Sequence, residues 1–117
     1  MGHSMLNDFL NKLAAQPTTM QFDDVIAVID ESYDFTPTKF YNGYLENDAT
    51  ENTGSCKLFA LGRLNKFTKQ EMLECFGTYY RDDVLNNPGG DDHANIRYFM
   101  RTGWSGIQFE TLPLKLK

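Results

Sequence analysis

Thr68-Lys69-Gln70-Glu71, followed by Met72-Leu73-Glu74-Cys75-Phe76, is the stretch that decides the fold class. A threonine with a glutamate three residues on forms a capping box, in which each side chain accepts a backbone N–H that the first helical turn leaves free. Met72, Leu73, Cys75, Phe76 and Tyr79 then recur on one face, so the spacing predicts a helix from Thr68 that stops before Asn86-Asn87-Pro88-Gly89-Gly90.

The same periodicity extends outward from this helix. Upstream, Leu58, Phe59, Leu61 and Leu64 make an apolar stripe behind Gly54-Ser55, with Ser55 available as N-cap. Earlier still, Leu6, Phe9, Leu10 and Leu13 predict a helix ending before Pro17, and Phe22, Val25, Ile26 and Ile29 another over about residues 22–32. Asp23 and Asp24 sit where that helix's dipole favours anions. Downstream, Asp91 or Asp92 can cap a fifth helix carrying Ile96, Phe99 and Met100 inward, and Gly103 stands where a left-handed C-terminal cap belongs.

Periodicity lapses from Tyr33 to Thr53, a stretch punctuated by Pro37, Asn42-Gly43, Asn47 and Asn52. Asn42-Gly43 is a strong turn signal, so Lys39-Phe40-Tyr41 and Tyr44-Leu45-Glu46 make either a short hairpin or a loop packed by its own aromatics. Ile107-Gln108-Phe109 alternates like a strand and is the natural partner for one near Phe40. The fold class is therefore mainly α (α+β): a compact bundle of about five helices with a small two- or three-stranded β element. Residues 5–117 are expected to form a single domain, and Met1-Gly2-His3-Ser4 reads as an expression-tag remnant.

Bulk composition narrows the function classes. With 117 residues, 41% hydrophobic and 23% charged, the chain can bury one core unaided. Eleven basic against sixteen acidic residues give a net charge of −5, which opposes nucleic-acid binding. No apolar run approaches the roughly 20 residues that span a bilayer, so no membrane partner is expected. Two cysteines are too few for a secreted disulfide framework, and no signal peptide is visible. Both thiols are expected to be free and the protein cytoplasmic.

Several runs together carry a resemblance. They are Ala27-Val28-Ile29-Asp30, Tyr33-Asp34-Phe35-Thr36-Pro37-Thr38, Phe40-Tyr41-Asn42-Gly43, Gly54-Ser55-Cys56-Lys57-Leu58-Phe59-Ala60 and Phe76-Gly77-Thr78-Tyr79-Tyr80-Arg81. Asp83-Val84-Leu85, Asp92-His93-Ala94-Asn95-Ile96-Arg97, Phe99-Met100 and Gly103-Trp104-Ser105-Gly106-Ile107 continue them. In this order they resemble the HopJ family, small bacterial proteins labelled type III effectors, over nearly all of residues 5 to 112. The resemblance implies no agreed activity, substrate or cofactor. Its effector label implies delivery into a host cell as the alternative to a cytoplasmic residence.

Candidate chemistry centres on Cys56 and His93. Cys56 lies in the first turn of a predicted helix beside Lys57, where the dipole and the cation lower a thiol's pKa, yet a small buried residue fits the same position. His93 stands next to Asp91 and Asp92, so Asp91 can orient its ring as the third member of a Cys-His-Asp arrangement; a role in the turn and cap network is the plainer alternative. Asn42, Lys57, Tyr79, Tyr80, Arg81, Asn95 and Arg97 are candidate binding residues, Arg81 as a clamp for carboxylate or phosphate. Arg97 and Arg101, four apart, otherwise read as a solvated face, and Trp104 as a core plug. One native histidine and two separated cysteines give no metal-ligand spacing, and no cofactor is expected.

Two functional classes follow. The first is a non-enzymatic binding or regulatory module, monomer or weak homodimer, using a polar surface formed by residues 33–53 and the start of the fifth helix to take an unknown protein or small molecule. The second is a cysteine-dependent hydrolase or transferase with Cys56 as nucleophile and His93 as base.

Overall fold

The computed structural model describes residues 4–117, so the segment read as a tag remnant lies outside it except for Ser4. Helix α1 (Ser4–Ala15) buries Leu6, Phe9 and Leu13 against α2 (Phe22–Ser32), whose Val25, Val28 and Ile29 face the core. Both follow the sequence stripes, and the chain leaves α1 at Pro17, whose ring cannot continue a helix. Helix α3 (Thr53–Asn65) runs through the centre and is buried on most sides, which is why its apolar stripe is broad; Leu64, expected inward, lies exposed at its far end. Phe59 on α3 packs against Phe40, Phe76 and Phe99, with ring centroids 6.0, 5.5 and 5.1 Å away. This cluster is the heart of the core.

The capping box forms at α4 (Lys69–Glu74), with Thr68 N–H donating to Glu71 at 2.8 Å and Glu71 N–H to the Thr68 hydroxyl at 3.1 Å. Thr68→Ala is expected to cost about 0.5–2 kcal/mol in urea unfolding. An unchanged midpoint would mean that the cap contributes nothing.

The predicted long helix is not continuous. It breaks at Gly77, whose φ of +64° is costly for any residue with a Cβ and whose backbone lies so close to Gln21 and Phe22 that a Cβ would sit 2.9 Å from the Phe22 nitrogen. The chain then resumes as a π-helical segment, Tyr79–Val84, closed by a bond of 3.0 Å from Leu85 N–H to the Tyr80 carbonyl. Sequence spacing alone reads straight across this break because Tyr79, Tyr80 and Val84 still look helical.

Two other expected caps are replaced. Asn52, in the left-handed conformation, precedes α3 in place of Ser55, and His93, at φ +50°, precedes α5 (Ala94–Thr102) in place of Asp91 or Asp92. Neither helix receives a side-chain cap. Gly103 ends α5 with φ +61° as expected, though its ψ of −155° lies outside the left-handed helical well.

The β structure is larger than the sequence indicated. Strands β2 (Phe40–Asn42) and β3 (Leu45–Asn47) form the hairpin, and β4 (Ile107–Phe109) joins β2 antiparallel with Phe40 opposite Phe109. The turn pair is Gly43-Tyr44, not Asn42-Gly43. Gly43 has φ +62° at the first central position, and Asn42 is released to end the strand with its side chain buried. A second ribbon, β1 (Tyr33–Phe35) with β5 (Leu114–Leu116), was not anticipated. Trp104 is half buried as a plug, edge-on to Phe99 at 5.1 Å, with its indole N–H donating to the Phe67 carbonyl at 2.7 Å.

Candidate functional site

Four asparagines hold the hairpin to the start of α5. Asn42 follows Phe40 at a strand's period of two and so shares its inward face, where a polar side chain must find partners. Its amide donates to the Asn95 backbone carbonyl at 2.7 Å and to the Asn95 side-chain oxygen at 3.1 Å. Asn47 and Asn95 exchange amide bonds of 3.2 and 2.9 Å, and Asn52 donates to the Asn47 oxygen at 2.7 Å. The chain Asn42–Asn95–Asn47–Asn52 therefore fixes β2, β3, the start of α3 and the start of α5 relative to one another.

A pocket of about 470 Å³ opens where these starts meet. Asn52, Ser55, His93 and Asn95 supply its polar lining, while Phe22, Phe76, Tyr79, Leu45 and Ile96 supply the apolar part. The rings form a continuous row: Phe76 to Phe22 at 6.2 Å, Phe22 to Tyr79 at 5.3 Å, and Tyr79 to His93 at 5.1 Å. Gly54 makes room for that row, since a Cβ there would lie 2.8 Å from the Phe22 ring. The backbone N–H groups of Thr53, Gly54 and Ser55 at the start of α3, and of Ala94 and Asn95 at the start of α5, have no helical acceptor and no side-chain cap, so donors collect at the same place.

His93 is placed by three neighbours. Its Nε2 lies 2.9 Å from an Asp83 carboxylate oxygen and 3.8 Å from one of Asp92, and its ring packs on Tyr79 at an interplanar angle of 33°. Tyr79 and Asp83 both belong to the π-helical segment, a geometry that recurs at functional sites. Two of the three non-glycine residues with positive φ among those described, Asn52 and His93, line this pocket.

The structure separates the sequence-predicted candidates into two groups. His93, Asn95 and Tyr79 meet at the pocket, with Asn42 directly behind Asn95. Cys56 does not line it: the residue is 2% exposed, and burial pushes its thiol up to about 11 against a weaker opposing hydrogen bond from the Thr38 backbone. Asp83 and Asp92, rather than Asp91, face the His93 ring. Lys57 pairs with Asp30 at 2.8 Å and lies over the Phe35 ring, and Tyr80 is buried with its hydroxyl near Gln70.

Both arginine candidates act inside the fold. Arg81 grips a carboxylate, but an internal one, Glu74, at 2.9 Å. Arg97, read as a solvated residue, is 8% exposed and donates to the carbonyls of Asn87 at 2.8 Å and Asp92 at 2.6 Å, holding the Asn87–Asp92 loop against α5. Its guanidinium also bonds the Asp92 carboxylate, which it holds below the usual carboxylate range. A helical wheel places Arg97 away from Ile96, but it does not show that the loop folds back over that side.

Sequence reasoning missed Phe22, Asn47, Asn52, Ser55 and Asp83. Asn47 and Asn52 had been read only as turn punctuation. The available signal was strand alternation, which puts Asn47 opposite Phe40 in the antiparallel pair and hence at an interior level. Among the described residues no group of three His, Cys, Asp or Glu side chains is placed to hold a metal, and no helix is long and apolar enough to cross a membrane.

The chain matches the HopJ type III effector protein family over residues 6–114. A crystal structure described as that of the unknown function protein VPA0580 superposes with a TM-score of 0.93 at 54% identity, covering 95% of this chain and 92% of that one. No curated protein matches. With the match running from α1 to β5 across every element of the fold, the protein belongs to the HopJ type III effector protein family.

Proposed function

We propose that the protein is a cytoplasmic, non-enzymatic binding module that takes up a small organic molecule in the pocket between the β2–β3 hairpin, α3 and α5. The observation that carries this reading is the row of rings Phe76, Phe22, Tyr79 and His93 facing Asn52 and Ser55 in one open pocket of about 470 Å³. A concave, mostly apolar site with a few fixed polar groups is the usual form of a small-molecule site. Such a site on a rigid frame is well suited to sensing or carrying a ligand.

Burial of Cys56 away from the pocket and its high pKa speak for a module over a cysteine enzyme, because the thiolate is the nucleophile.

The test is a two-dimensional amide NMR titration of the protein with a library of small aromatic and polar fragments. Hits are expected to shift the amides of Ser55, His93, Ala94 and Asn95 together. Tyr79→Ala, at a partly exposed ring, is expected to weaken such hits by about three- to tenfold, the worth of one aromatic contact. Shifts confined to the groove between α1 and α2, or none at all, would overturn the proposal.

A further inference from the structure

We propose that Asn42-Gly43 is a site of spontaneous deamidation that docking of the β2–β3 hairpin holds shut, so that lasting release of the hairpin converts Asn42 to aspartate or isoaspartate and prevents its return.

The sequence supplies the reactive pair. In an asparagine followed by glycine, the glycine nitrogen attacks the side-chain carbonyl carbon, ammonia leaves, and a five-membered succinimide forms. Water then opens that ring to aspartate or, at its other carbonyl, to isoaspartate. Glycine suits the step because no Cβ shields its nitrogen and its backbone turns freely. The chain has one Asn-Gly pair, and it stands where β2 ends and the hairpin turns.

The fold opposes each part of that attack. The nucleophile is engaged, since the Gly43 N–H donates to the Gly106 carbonyl at 2.9 Å. The electrophile is turned away: ring closure needs the Asn42 side-chain carbon to swing onto the Gly43 nitrogen, and bonds of 2.7 and 3.1 Å hold its amide on Asn95 instead. Negative charge developing on the side-chain oxygen would find no donor, because Asn42 Oδ1 is buried without a hydrogen-bond partner.

The first two restraints come from Gly106, just before β4, and from Asn95 in α5, each more than fifty positions along the chain. The hairpin provides neither by itself. Both are therefore lost when it leaves α5 and β4, and burial of the side chain is lost with them.

The product does not fit the place that the asparagine held. The Asn42 amide nitrogen faces two acceptors, the Asn95 backbone carbonyl and its side-chain oxygen, and the latter is fixed by the Asn47 amide. In aspartate an oxygen stands there, so acceptor meets acceptor and a carboxylate is buried without a partner. Isoaspartate adds a methylene to the main chain and disturbs the pairing of residue 42 with Leu45 and Ile107. Asn95 also lines the pocket, so conversion at Asn42 loosens that wall as well.

The experiment ages the full chain at mildly alkaline pH, folded and in guanidinium chloride, and follows the amide-to-acid mass change at each asparagine by peptide mass spectrometry. In denaturant Asn42 is expected to convert at least about tenfold faster than any other asparagine, and in the folded protein at least about a hundredfold more slowly than in denaturant. As denaturant is raised below the unfolding midpoint, conversion at Asn42 is expected to rise in parallel with hydrogen exchange of the Gly43 amide. When the aged chain is diluted back to native conditions, the share recovering native hairpin amide signals is expected to fall with the share of Asn42 that remains. Separately made Asn42→Asp is expected to show a lowered thermal midpoint or no cooperative transition. Another asparagine converting ahead of Asn42 in denaturant would sink the site. Conversion as fast in the folded protein, or unresponsive while Gly43 exchange rises, would sink the gate. Full recovery of the aged chain, or an unchanged midpoint for Asn42→Asp, would show that the change is not one-way.

Discussion

Arg81→Met is expected to lower the unfolding free energy by roughly 3–5 kcal/mol, the usual cost of removing one partner of a buried ion pair. Arg81 reaches into the break between α4 and the π-helical segment, where one guanidinium nitrogen lies 2.9 Å from the Glu74 carboxylate and 3.2 Å from the Glu74 carbonyl. The other nitrogen donates to the Met20 carbonyl. Glu74 is itself buried, so without Arg81 its carboxylate would stand uncompensated and two carbonyls would lose a donor. Methionine fills a similar volume, which confines the effect to the lost charge and hydrogen bonds. The double variant Glu74→Gln with Arg81→Met is expected to recover part of the stability. Urea unfolding of the three proteins at neutral pH measures this. A loss under 1 kcal/mol from the single change would show that Arg81 is free for a ligand, as its sequence position had suggested.

The arginine also shows how far the sequence could be read. Periodicity located α1 and α2 because each buries one narrow stripe, and the Thr68–Glu71 box because its chemistry is local to four residues. Ile107–Phe109 was legible as the partner of Phe40 because alternation and proximity in the remaining β signal left one simple pairing. Gly77 was not legible as a break, since what forbids a side chain there is the backbone of residues 21 and 22, more than fifty positions away in the chain. The strands β1 and β5 were missed for a related reason. Three residues carry too little alternation to register, and their pairing joins Tyr33 to Leu116 across nearly the whole domain.

The candidate site was legible in part. Asn95 and His93 were singled out at the start of the fifth helix and Tyr79 toward the end of the fourth, and they do meet, but the partners that give them geometry came from elsewhere. Asp83 reaches His93 only because the π-helical winding follows the break at Gly77. Cys56 shows the opposite error available to a sequence reading. It is adjacent to Ser55, yet consecutive residues on a helix point about 100° apart, so Ser55 lines the pocket while Cys56 enters the core.

That placement of the two cysteines has its largest consequence in alkaline solution. Both are free and buried; desolvation is the main cause that raises Cys56 to about 11 and Cys75 to about 12, with Glu71 and Glu74 raising Cys75 further and Arg81 opposing them. An unfolded thiol ionises near 9, so the unfolded chain releases these protons first as pH rises. The contribution of each thiol to stability is therefore complete below about pH 8.5 and falls between pH 9 and its folded pKa, by about 1.4 kcal/mol per pH unit. By about pH 10.5 the loss is roughly 2 kcal/mol for each cysteine and roughly 4 for both. Other groups titrate in the same range, so the measurement is a difference: unfolding free energies from pH 8 to 10.5 for the protein, Cys56→Ala, Cys75→Ala and the double variant. Each alanine is expected to lower stability at pH 8, through lost packing, and to flatten the alkaline decline by its own share. The same burial makes both thiols slow toward iodoacetamide at neutral pH in the folded protein, Cys75 no faster than Cys56, and quick once unfolded. Rapid alkylation of folded Cys56 at neutral pH, with an alkaline decline unchanged by Cys56→Ala, would mean that its thiol is ionised and reachable, and would return the cysteine enzyme to consideration over the binding module.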